Sequence, residues 1–317
     1  MSRHCLCMML LVFSLRLPAS STQAAADRQV AITIDDLPGI GAESMTAAAL
    51  TEMTSKILAA LRQDNAPAVG FVNEVKLYKR GEVDARMQAL NLWLDSGFEL
   101  GNHTFKHTSL NRSGLEAWED DVIQGEPVIR MLLAQHKMKL RYFRHPYLDT
   151  GADLETRRKA EAFLSRRGYL VAPVTVDAWD WNFAGVYEDA KKRGDNNLLE
   201  EVVRLFLSYH DAVFAYCEQL SRDVVGYEPR QVLLLHGSQL EADHLRELLQ
   251  LIRKRGYRFI TLEQALLDPA YSLPDTYVSI EGRGWLEHWA ITKGKPPQGA
   301  PEFPPQIAER TKALRGY

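Results

Sequence analysis

Two adjacent carboxylates stand at the end of an apolar, β-branched run in this sequence. Residues 30–34 read V-A-I-T-I, and Asp35 and Asp36 follow at once. Two like charges at the end of a buried strand are costly unless a cation or a proton offsets them. We therefore expect a cation to bind at this strand end.

Two imidazoles further along the chain are candidates to share that cation. His103 and His107 come shortly after the run F-E-L at residues 98–100. One carboxylate with two imidazoles is a common ligand set for a catalytic divalent metal that keeps a position open for water. A helical turn over residues 104–108 would place both imidazoles on one side, although two unrelated polar residues on a helix face could share this spacing. The second carboxylate would be free to act as a base.

The length and composition are those of an ordinary globular protein. The chain has 317 residues, of which 46% are hydrophobic and 25% charged, and its formal net charge is −3. This size fits one large domain or two small ones. Because no basic field is indicated, we expect neither nucleic acid nor anionic lipid as a partner.

The first 26 residues have the pattern of a secretory signal peptide. Arg3 and His4 precede an apolar run over residues 5–15, and three alanines at 24–26 provide an A-x-A-like cleavage site before Asp27. The apolar run is too short to span a bilayer. We therefore expect no transmembrane segment and a periplasmic or secreted protein, with a buried N-terminal helix as the alternative.

The rest of the chain alternates short β-rich runs with helical patterns, which favours parallel βα units. Seven such units are too many for most small open sheets and nearly enough for a closed barrel. The predicted fold class is therefore α/β, as a distorted, incomplete (β/α)7 relative of the eightfold barrel. We predict strands at residues 29–34, 68–72, 98–101, 141–144, 169–176, 232–235 and 257–261.

Two stretches depart from this alternation. Residues 182–230 are helical in pattern with no convincing strand, which indicates an insertion between two barrel strands. Residues 271–317 are rich in proline and carry Trp285 and Trp289, and we expect them to pack over the barrel, with the two tryptophans as packing or sugar-stacking aromatics. The predicted division is a signal peptide at 1–26, a catalytic domain at 27–270 and a C-terminal extension at 271–317.

Polar side chains stand at the ends of five of the seven predicted strands, where barrels of this kind carry their chemistry. One polar strand end alone is usually a cap or a turn. Five together, of types that fit one mechanism, indicate an active site. They are Asp35 with Asp36, His103, the run from Arg144 to Tyr147, Asp177 with Asp180, and His236.

Five short motifs contain these strand-end residues. In type and in order along the chain, they resemble the motifs of the polysaccharide deacetylase family, the NodB-homology domain of carbohydrate esterase family 4. The family includes deacetylases of chitin, chitooligosaccharides, peptidoglycan and xylan. The H-T-x-x-H and D-A-x-D-W elements are the specific ones. The motifs are T-I-D-D at 33–36, H-T-F-K-H at 103–107, R-H-P-Y at 144–147, D-A-W-D-W at 177–181 and L-L-H at 234–236.

The resemblance implies a NodB-type barrel and a role for each central residue. Asp35 would be the general base and His236 the general acid. A divalent metal would be held by three ligands, with Zn²⁺ the first expectation and Co²⁺, Ni²⁺, Mn²⁺ or Fe²⁺ the alternatives. Those ligands are Asp36, His103 and His107.

The resemblance also implies supporting residues. Arg144 would pair with the base, Asp177 would hydrogen-bond the acid imidazole and raise its pKa, and the backbone N–H of Tyr147 would hold the oxyanion. Trp181 and Leu234 would wall a small acetyl pocket, and Pro146 would also contact substrate. Tyr147 is followed by Leu148 and Asp149 where many members have glycine, so we expect this loop to be remodelled.

The expected activity is hydrolysis of N-acetyl groups on amino sugars of an acetylated glycan of the peptidoglycan or chitin type. An O-acetyl esterase acting on xylan or another glycan stays open, because an ester needs the same metal, base and pocket. The intact ligand set and the export pattern disfavour a hydrolase of cyclic amides. A non-catalytic carbohydrate-binding protein would be favoured by loss of Asp35 or His236, and both are present. The sequence leaves the oligomeric state open.

Overall fold

The computed structural model of the protein describes residues 27–315, so the predicted signal peptide lies outside the described residues. The described part is built on one sheet of eight strands, and all of the strand pairings are parallel. Helices connect the strands, as parallel pairing requires. The strands are β1 (Arg28–Leu37), β2 (Ala68–Val72), β3 (Glu99–Asn102), β4 (Tyr142–Phe143), β5 (Leu170–Val171), β6 (Val176–Asp177), β7 (Gln231–His236) and β8 (Tyr257–Ile260).

The sheet is an incomplete barrel centred on β1. Its strand order is β5-β4-β3-β2-β1-β7-β6, and β8 pairs with the beginning of β1. Because β5 and β6 stand at opposite ends of this order, the barrel is open between them. The predicted distorted (β/α)7 barrel is therefore confirmed.

The opening explains why one predicted strand was wrong in extent. Residues 169–176 form β5 and β6 rather than one strand. The N–H of Ala172 donates to the carbonyl of Phe143 beside β5, whereas the N–H of Thr175 donates to the carbonyl of Val232 in β7. The chain changes its pairing partner within three residues as it crosses from one end of the sheet to the other.

The helices in residues 27–315 follow the predicted alternation with strands. Pro127 takes the first position of one helix, because that position needs no N–H donor. None of these helices is long and apolar enough to cross a membrane. The helices are α1 (Ala47–Gln63), α2 (Val83–Asp95), α3 (Leu110–Ser113), α4 (Leu115–Gln124), α5 (Pro127–Gln135), α6 (Leu154–Arg166), α7 (Asp180–Arg193), α8 (Asn196–Val225), α9 (Gln239–Lys254), α10 (Leu262–Leu266), α11 (Trp285–Thr292) and α12 (Pro305–Arg315).

The two stretches that depart from the alternation of strands and helices pack on each other. Residues 182–230 lie mostly in α7 and α8, and the C-terminal helices α12 and α11 contact α7 and α8, respectively. Phe303, just before α12, packs its ring on Phe183 of α7 and Tyr209 of α8, at 5.2 Å between centroids in both cases. The C-terminal segment is thus joined to the part of the chain that follows the fourth motif. The division into domains stays a prediction.

Strand β1 positions the central residues of the site. Residues 30–34 are buried, as in a strand covered on both faces. In the pairing of β1 with β7, Thr33 is the partner of Leu234 and Asp35 is the partner of His236. The register therefore places the predicted base and the predicted acid side by side at the carboxyl ends of two neighbouring strands.

Candidate active site

Three predicted metal ligands meet at one point. Asp36, His103 and His107 each bring a ligand atom within 4.8 Å of the others. Residues 104–108 do not form the helical turn that was considered for them, because Thr104 and His107 each have φ 63° and the segment is an irregular loop. This loop folds the ring of His107 back to 4.7 Å from that of His103.

Both imidazoles are held in the neutral form that a metal requires. Nδ1 of His103 lies 2.8 Å from the carbonyl oxygen of Arg144. A carbonyl only accepts, so Nδ1 carries the hydrogen and Nε2 keeps its lone pair. Burial lowers the pKa of His103 well below its usual value, and burial lowers the pKa of His107 to about 4 although the Asp36 carboxylate opposes it.

The carboxylate of Asp36 is kept ionised by a lysine that sequence reasoning missed. Nζ of Lys76 lies 3.0 Å from Oδ1 of Asp36 and 3.1 Å from its backbone oxygen. Burial raises the pKa of Asp36, but the charge of Lys76, followed by that of His236, outweighs burial and holds that pKa well below its usual value. The sequence feature that could have identified Lys76 is its position, four residues after the end of β2.

The backbone at Asp36 lets two consecutive carboxylates serve one site. Asp36 has φ 69°, an uncommon conformation that aspartate tolerates better than most residues. The strand alternation that would send Asp35 and Asp36 to opposite faces is broken there. A carboxylate with two neutral imidazoles, all with donor atoms turned to one point, fits a divalent cation.

The other carboxylate, Asp35, is buried and has one unused oxygen. Its Oδ2 lies 3.3 Å from Nη1 of Arg144 and 3.7 Å from Nε2 of His103. Its Oδ1 has no hydrogen-bond partner among residues 27–315. Burial raises the pKa of Asp35 to about 6, with the charges of Arg144 and His236 opposing that rise. At neutral pH the group is therefore mostly ionised and can take a proton.

Arg144 reaches Asp35, as predicted, from a fixed position. Its Nε donates to the carbonyl of Ala172 at 3.0 Å, and its Nη2 donates to Oγ1 of Thr33 at 2.9 Å. The side chain is fully buried. Because these bonds use separate nitrogens of the guanidinium fork, the remaining Nη1 is directed at the carboxylate.

The partner of His236 is Asp180, and the prediction of Asp177 in that role was wrong. Nδ1 of His236 lies 2.7 Å from Oδ1 of Asp180, and the backbone N–H of His236 donates to Oδ2 at 2.7 Å. Oδ1 of Asp177 instead accepts the N–H of Trp179 at 2.9 Å. Trp179 has φ 50°, and the turn it makes starts α7 at Asp180, whose side chain is fully buried against the imidazole.

The imidazole of His236 is held in the protonated form. Burial lowers its pKa, but the charge and hydrogen bond of Asp180, followed by the charges of Asp36 and Asp35, raise the pKa to about 10. At neutral pH His236 therefore carries a proton that it can donate. The fully buried Glu241 and His210 lie near Asp180, and burial raises the pKa of Glu241 well above its usual value while it lowers that of His210.

The third motif forms a tight turn beside the metal ligands. Pro146 is buried, and Tyr147 and Leu148 each have φ 57°. The ring of Tyr147 is 55% exposed and stands edge-on to the ring of His107, with 4.3 Å between centroids. Tyr147 thus lies at the mouth of the site, and the role of its backbone N–H as an oxyanion donor stays a prediction.

The two predicted walls of the acetyl pocket have different neighbours. Leu234 is nearly buried and packs with Leu148, Val174 and Trp285. Trp181 is half-buried, and the guanidinium of Arg315 lies 4.4 Å from its ring centroid. The apolar surface around Leu234 therefore includes an aromatic ring from the C-terminal segment.

Comparison with known proteins gives a consistent set of relatives. A family model described as polysaccharide deacetylase matches residues 22–163, which include the first three motifs. A curated relative, the peptidoglycan-N-acetylglucosamine deacetylase of Bacillus cereus, is 23% identical over 240 residues. That match covers 74% of this chain and 66% of the relative, just under two thirds of its length.

Several solved structures are also similar to this chain. The family 4 carbohydrate esterase of Streptomyces lividans, in complex with acetate, is 20% identical with a TM-score of 0.47, over 76% of this chain and 97% of that one. A CE4 family pseudoenzyme from Bacillus anthracis is 18% identical with a TM-score of 0.47, over 76% and 66% of the two chains.

Proposed function

We infer that this chain is a member of the polysaccharide deacetylase family and a metal-dependent hydrolase that removes N-acetyl groups from amino sugars of an acetylated glycan. The observation that carries this proposal is a cluster of three side chains that can ligate a metal, lying beside an ionised, half-free Asp35 and a protonated His236. Each part has the protonation state that hydrolysis of an amide needs.

The metal ligands prepare the site for water and for the acyl oxygen. Asp36, His103 and His107 would hold the divalent cation, which supplies Lewis acidity toward a water molecule and a carbonyl oxygen. Zn²⁺ suits two imidazoles and one carboxylate, and Co²⁺, Ni²⁺, Mn²⁺ and Fe²⁺ accept the same ligands. The backbone N–H of Tyr147 would donate to the oxyanion that forms when water attacks.

Asp35 is suited to be the base because its two oxygens have different tasks. Oδ2 is engaged by Arg144, and Oδ1 is free to accept a proton from the attacking water. Arg144 opposes the effect of burial on the pKa of Asp35, so the carboxylate stays available above about pH 6. A base with a pKa just below the working pH is effective.

His236 is suited to be the acid because an amine leaves only when it is protonated. Its pKa of about 10 keeps the imidazolium intact until the C–N bond breaks. Asp180 accepts the hydrogen of Nδ1, which leaves Nε2–H as the donor toward the leaving nitrogen. An acid this weak matches the basicity of an amine, which favours N-acetyl over O-acetyl substrates.

The export pattern and the family together suggest where the substrate is met. We propose a periplasmic or secreted enzyme acting on a peptidoglycan-type or chitin-type glycan. The support is the N-terminal sequence pattern and the activity named for the Bacillus cereus relative.

Acetate release from a panel of glycans tests the proposal. The zinc-loaded protein should release acetate from peptidoglycan or chitooligosaccharides, and a chelator should abolish that release. The Asp35→Asn variant serves as a control for contaminating activity. Release from acetylated xylan alone would replace the proposal with an O-acetyl esterase, and no release from any of them by the metal-loaded protein would overturn it.

A further inference from the structure

A short part of the C-terminal segment lies directly on the loop of the third motif. Nδ2 of Asn111 donates to the carbonyl of Ser279 at 2.9 Å. A Cβ atom added to Gly282 would stand 2.0 Å from the carbonyl oxygen of Tyr147 and 2.5 Å from the carbonyl carbon of Leu148. Only glycine fits this close approach of two backbones. The segment is therefore packed against the same turn that places Tyr147 beside His107.

Three residues later, Trp285 enters the apolar surface around Leu234. Its backbone N–H donates to the carbonyl of Val174 at 2.6 Å, and Trp285 packs against the cluster of Leu148, Val174 and Leu234. Leu234 and His236 are two residues apart in β7, so their side chains lie on the same face of the sheet. The indole thus belongs to the apolar wall next to the acid.

The indole is held by a buried polar cluster. The ring of Trp285 stacks on the imidazole of His288, with 4.9 Å between centroids and 25° between planes. Nδ1 of His288 lies 2.9 Å from Oδ2 of Asp275, and Nη2 of Arg157 from α6 lies 2.7 Å from the same oxygen. The C-terminal segment is anchored to the barrel at this point, which gives the indole a fixed position.

We propose that Trp285 is a specificity-determining residue that closes the acyl pocket and limits the acyl group to acetyl. This inference rests on the proposed function. A carbonyl attacked between Asp35 and His236 must carry its alkyl group into apolar surroundings on the same face. Leu234, Leu148 and the indole of Trp285 supply those surroundings, so a longer acyl chain meets the indole.

Acyl-chain selectivity tests this role. Glucosamine oligosaccharides bearing N-acetyl, N-propionyl or N-butyryl groups are compared as substrates of the wild-type protein and Trp285→Ala. One methylene in an apolar pocket is worth about 10–200-fold in kcat/KM. The propionyl-to-acetyl ratio of kcat/KM should therefore rise at least about tenfold in Trp285→Ala, with a smaller rise in Trp285→Phe, which retains a stacking ring.

Ile291→Ala is the matched control, because Ile291 lies in the same helix and is exposed. Ile291→Ala should leave the propionyl-to-acetyl ratio of kcat/KM unchanged. Thermal melting of each variant shows whether it is folded, and Trp285→Phe carries the test if Trp285→Ala does not fold. A readout independent of turnover is calorimetry of acetate, propionate and butyrate, in which Trp285→Ala or Trp285→Phe should gain affinity for the longer acids.

The outcomes separate the two proposals. A wild-type protein that releases no acyl group from any glycan contradicts the proposed function. A wild-type protein that releases acetate, together with a folded Trp285 variant whose acyl ratio and acid affinities equal those of wild type, contradicts the pocket-wall role and leaves the proposed function standing.

Discussion

The two sides of the site use the same residue types in opposite protonation states. On the metal side, burial lowers the pKa values of His103 and His107, and Asp36 does not restore them. On the acid side, burial also lowers the pKa of His236, but Asp180 raises it to about 10. Both oxygens of Asp180 are engaged by His236. Whether a histidine at this site is neutral, as a metal ligand must be, or protonated, as an acid must be, therefore depends on what its carboxylate neighbour binds.

The pKa values of the two adjacent carboxylates also differ according to their neighbours. Asp35 faces a guanidinium at 3.3 Å and has a pKa near 6, because burial dominates. Asp36 faces the ammonium of Lys76 and two imidazoles, and the charge of Lys76, followed by that of His236, holds its pKa well below the usual value. One carboxylate can thus exchange a proton near neutral pH, while its neighbour remains an anion for a cation to bind.

The largest expected effect comes from removing a metal ligand. His103→Ala should lose metal affinity by more than the roughly 10–100-fold that removal of an outer partner of a ligand costs, and metal-dependent activity should disappear with it. His236→Ala is the matched variant on the acid side and should bind metal like wild type. Metal content after dialysis checks both. Equal metal content in His103→Ala and wild type would remove His103 from the ligand set.

The next effect is on the chemical step alone. Asp35→Asn keeps the shape of the side chain and loses the base, so kcat should fall about 10²–10⁴-fold. Metal content should stay near that of wild type, because Asp35 is not among the three predicted ligands. Steady-state kinetics and metal analysis of the same preparation check this. A variant that retains wild-type kcat would show that another group takes the proton.

A smaller effect should follow from changing the partner of the acid. In Asp180→Asn, burial is no longer opposed by a full charge, so the pKa of His236 falls. The alkaline limb of kcat/KM, set near pH 10 in wild type, should move to lower pH, while the acid limb near pH 6 from Asp35 should stay in place. Because Asp177 does not hydrogen-bond His236, Asp177→Asn is the control, and an equal shift in that variant would contradict the assignment of Asp180.

The same pair predicts a dependence of stability on pH. The pKa of His236 is about 10 in the folded protein against 6.5 for an unperturbed histidine. The folded state therefore binds more protons in this interval, and stability declines as pH rises through it. The contribution is complete below about pH 6.5 and lost by about pH 10. Thermal melting of metal-free protein should show this decline in wild type and a reduced decline in Asp180→Asn.

The residue types at the ends of apolar runs were enough to predict much of the site. The parts that depend on backbone geometry could not be predicted from the sequence. The ligands, Asp35 and His236 stand at the ends of apolar runs, where sequence alone indicates them. The choice between Asp177 and Asp180 depends on the φ of 50° at Trp179, which no spacing reveals. In the fold, the barrel followed from alternating runs, whereas the division into β5 and β6 depends on which strands they meet in space.

Lys76 and Trp285 show a second reason for the limit of sequence reasoning. Lys76 lies 40 residues from Asp36 and belongs to no motif. Trp285 reaches the surface around Leu234 from the C-terminal segment, for which the sequence predicted only that it packs over the barrel. Residues that act on a site through tertiary contact leave at most a weak local signal, so the folded chain is needed to place them.

The smallest expected effect concerns Lys76 and tests why the metal side stays anionic. In the metal-free protein its ammonium lies where it offsets the charge of Asp36. Lys76→Met should therefore lower the melting temperature of metal-free protein by about 2–4 °C, the shift expected for about 1 kcal/mol in a chain of roughly this size. Added Zn²⁺ should recover more stability in the variant than in wild type, because the cation no longer meets an ammonium beside its ligand.

Lys79→Met is the control for this variant. Nζ of Lys79 donates to the carbonyl of Met45 at 2.9 Å and pairs with Glu82, so the substitution removes a similar side chain from the same segment without touching Asp36. Its gain in melting temperature on adding Zn²⁺ should equal that of wild type. If Lys76→Met also gains only the wild-type amount, Lys76 stabilises the loop by packing and Asp36 owes its anionic state to the charge of His236. A larger gain in Lys76→Met alone shows that a protein cation and the metal compete for the charge of one carboxylate.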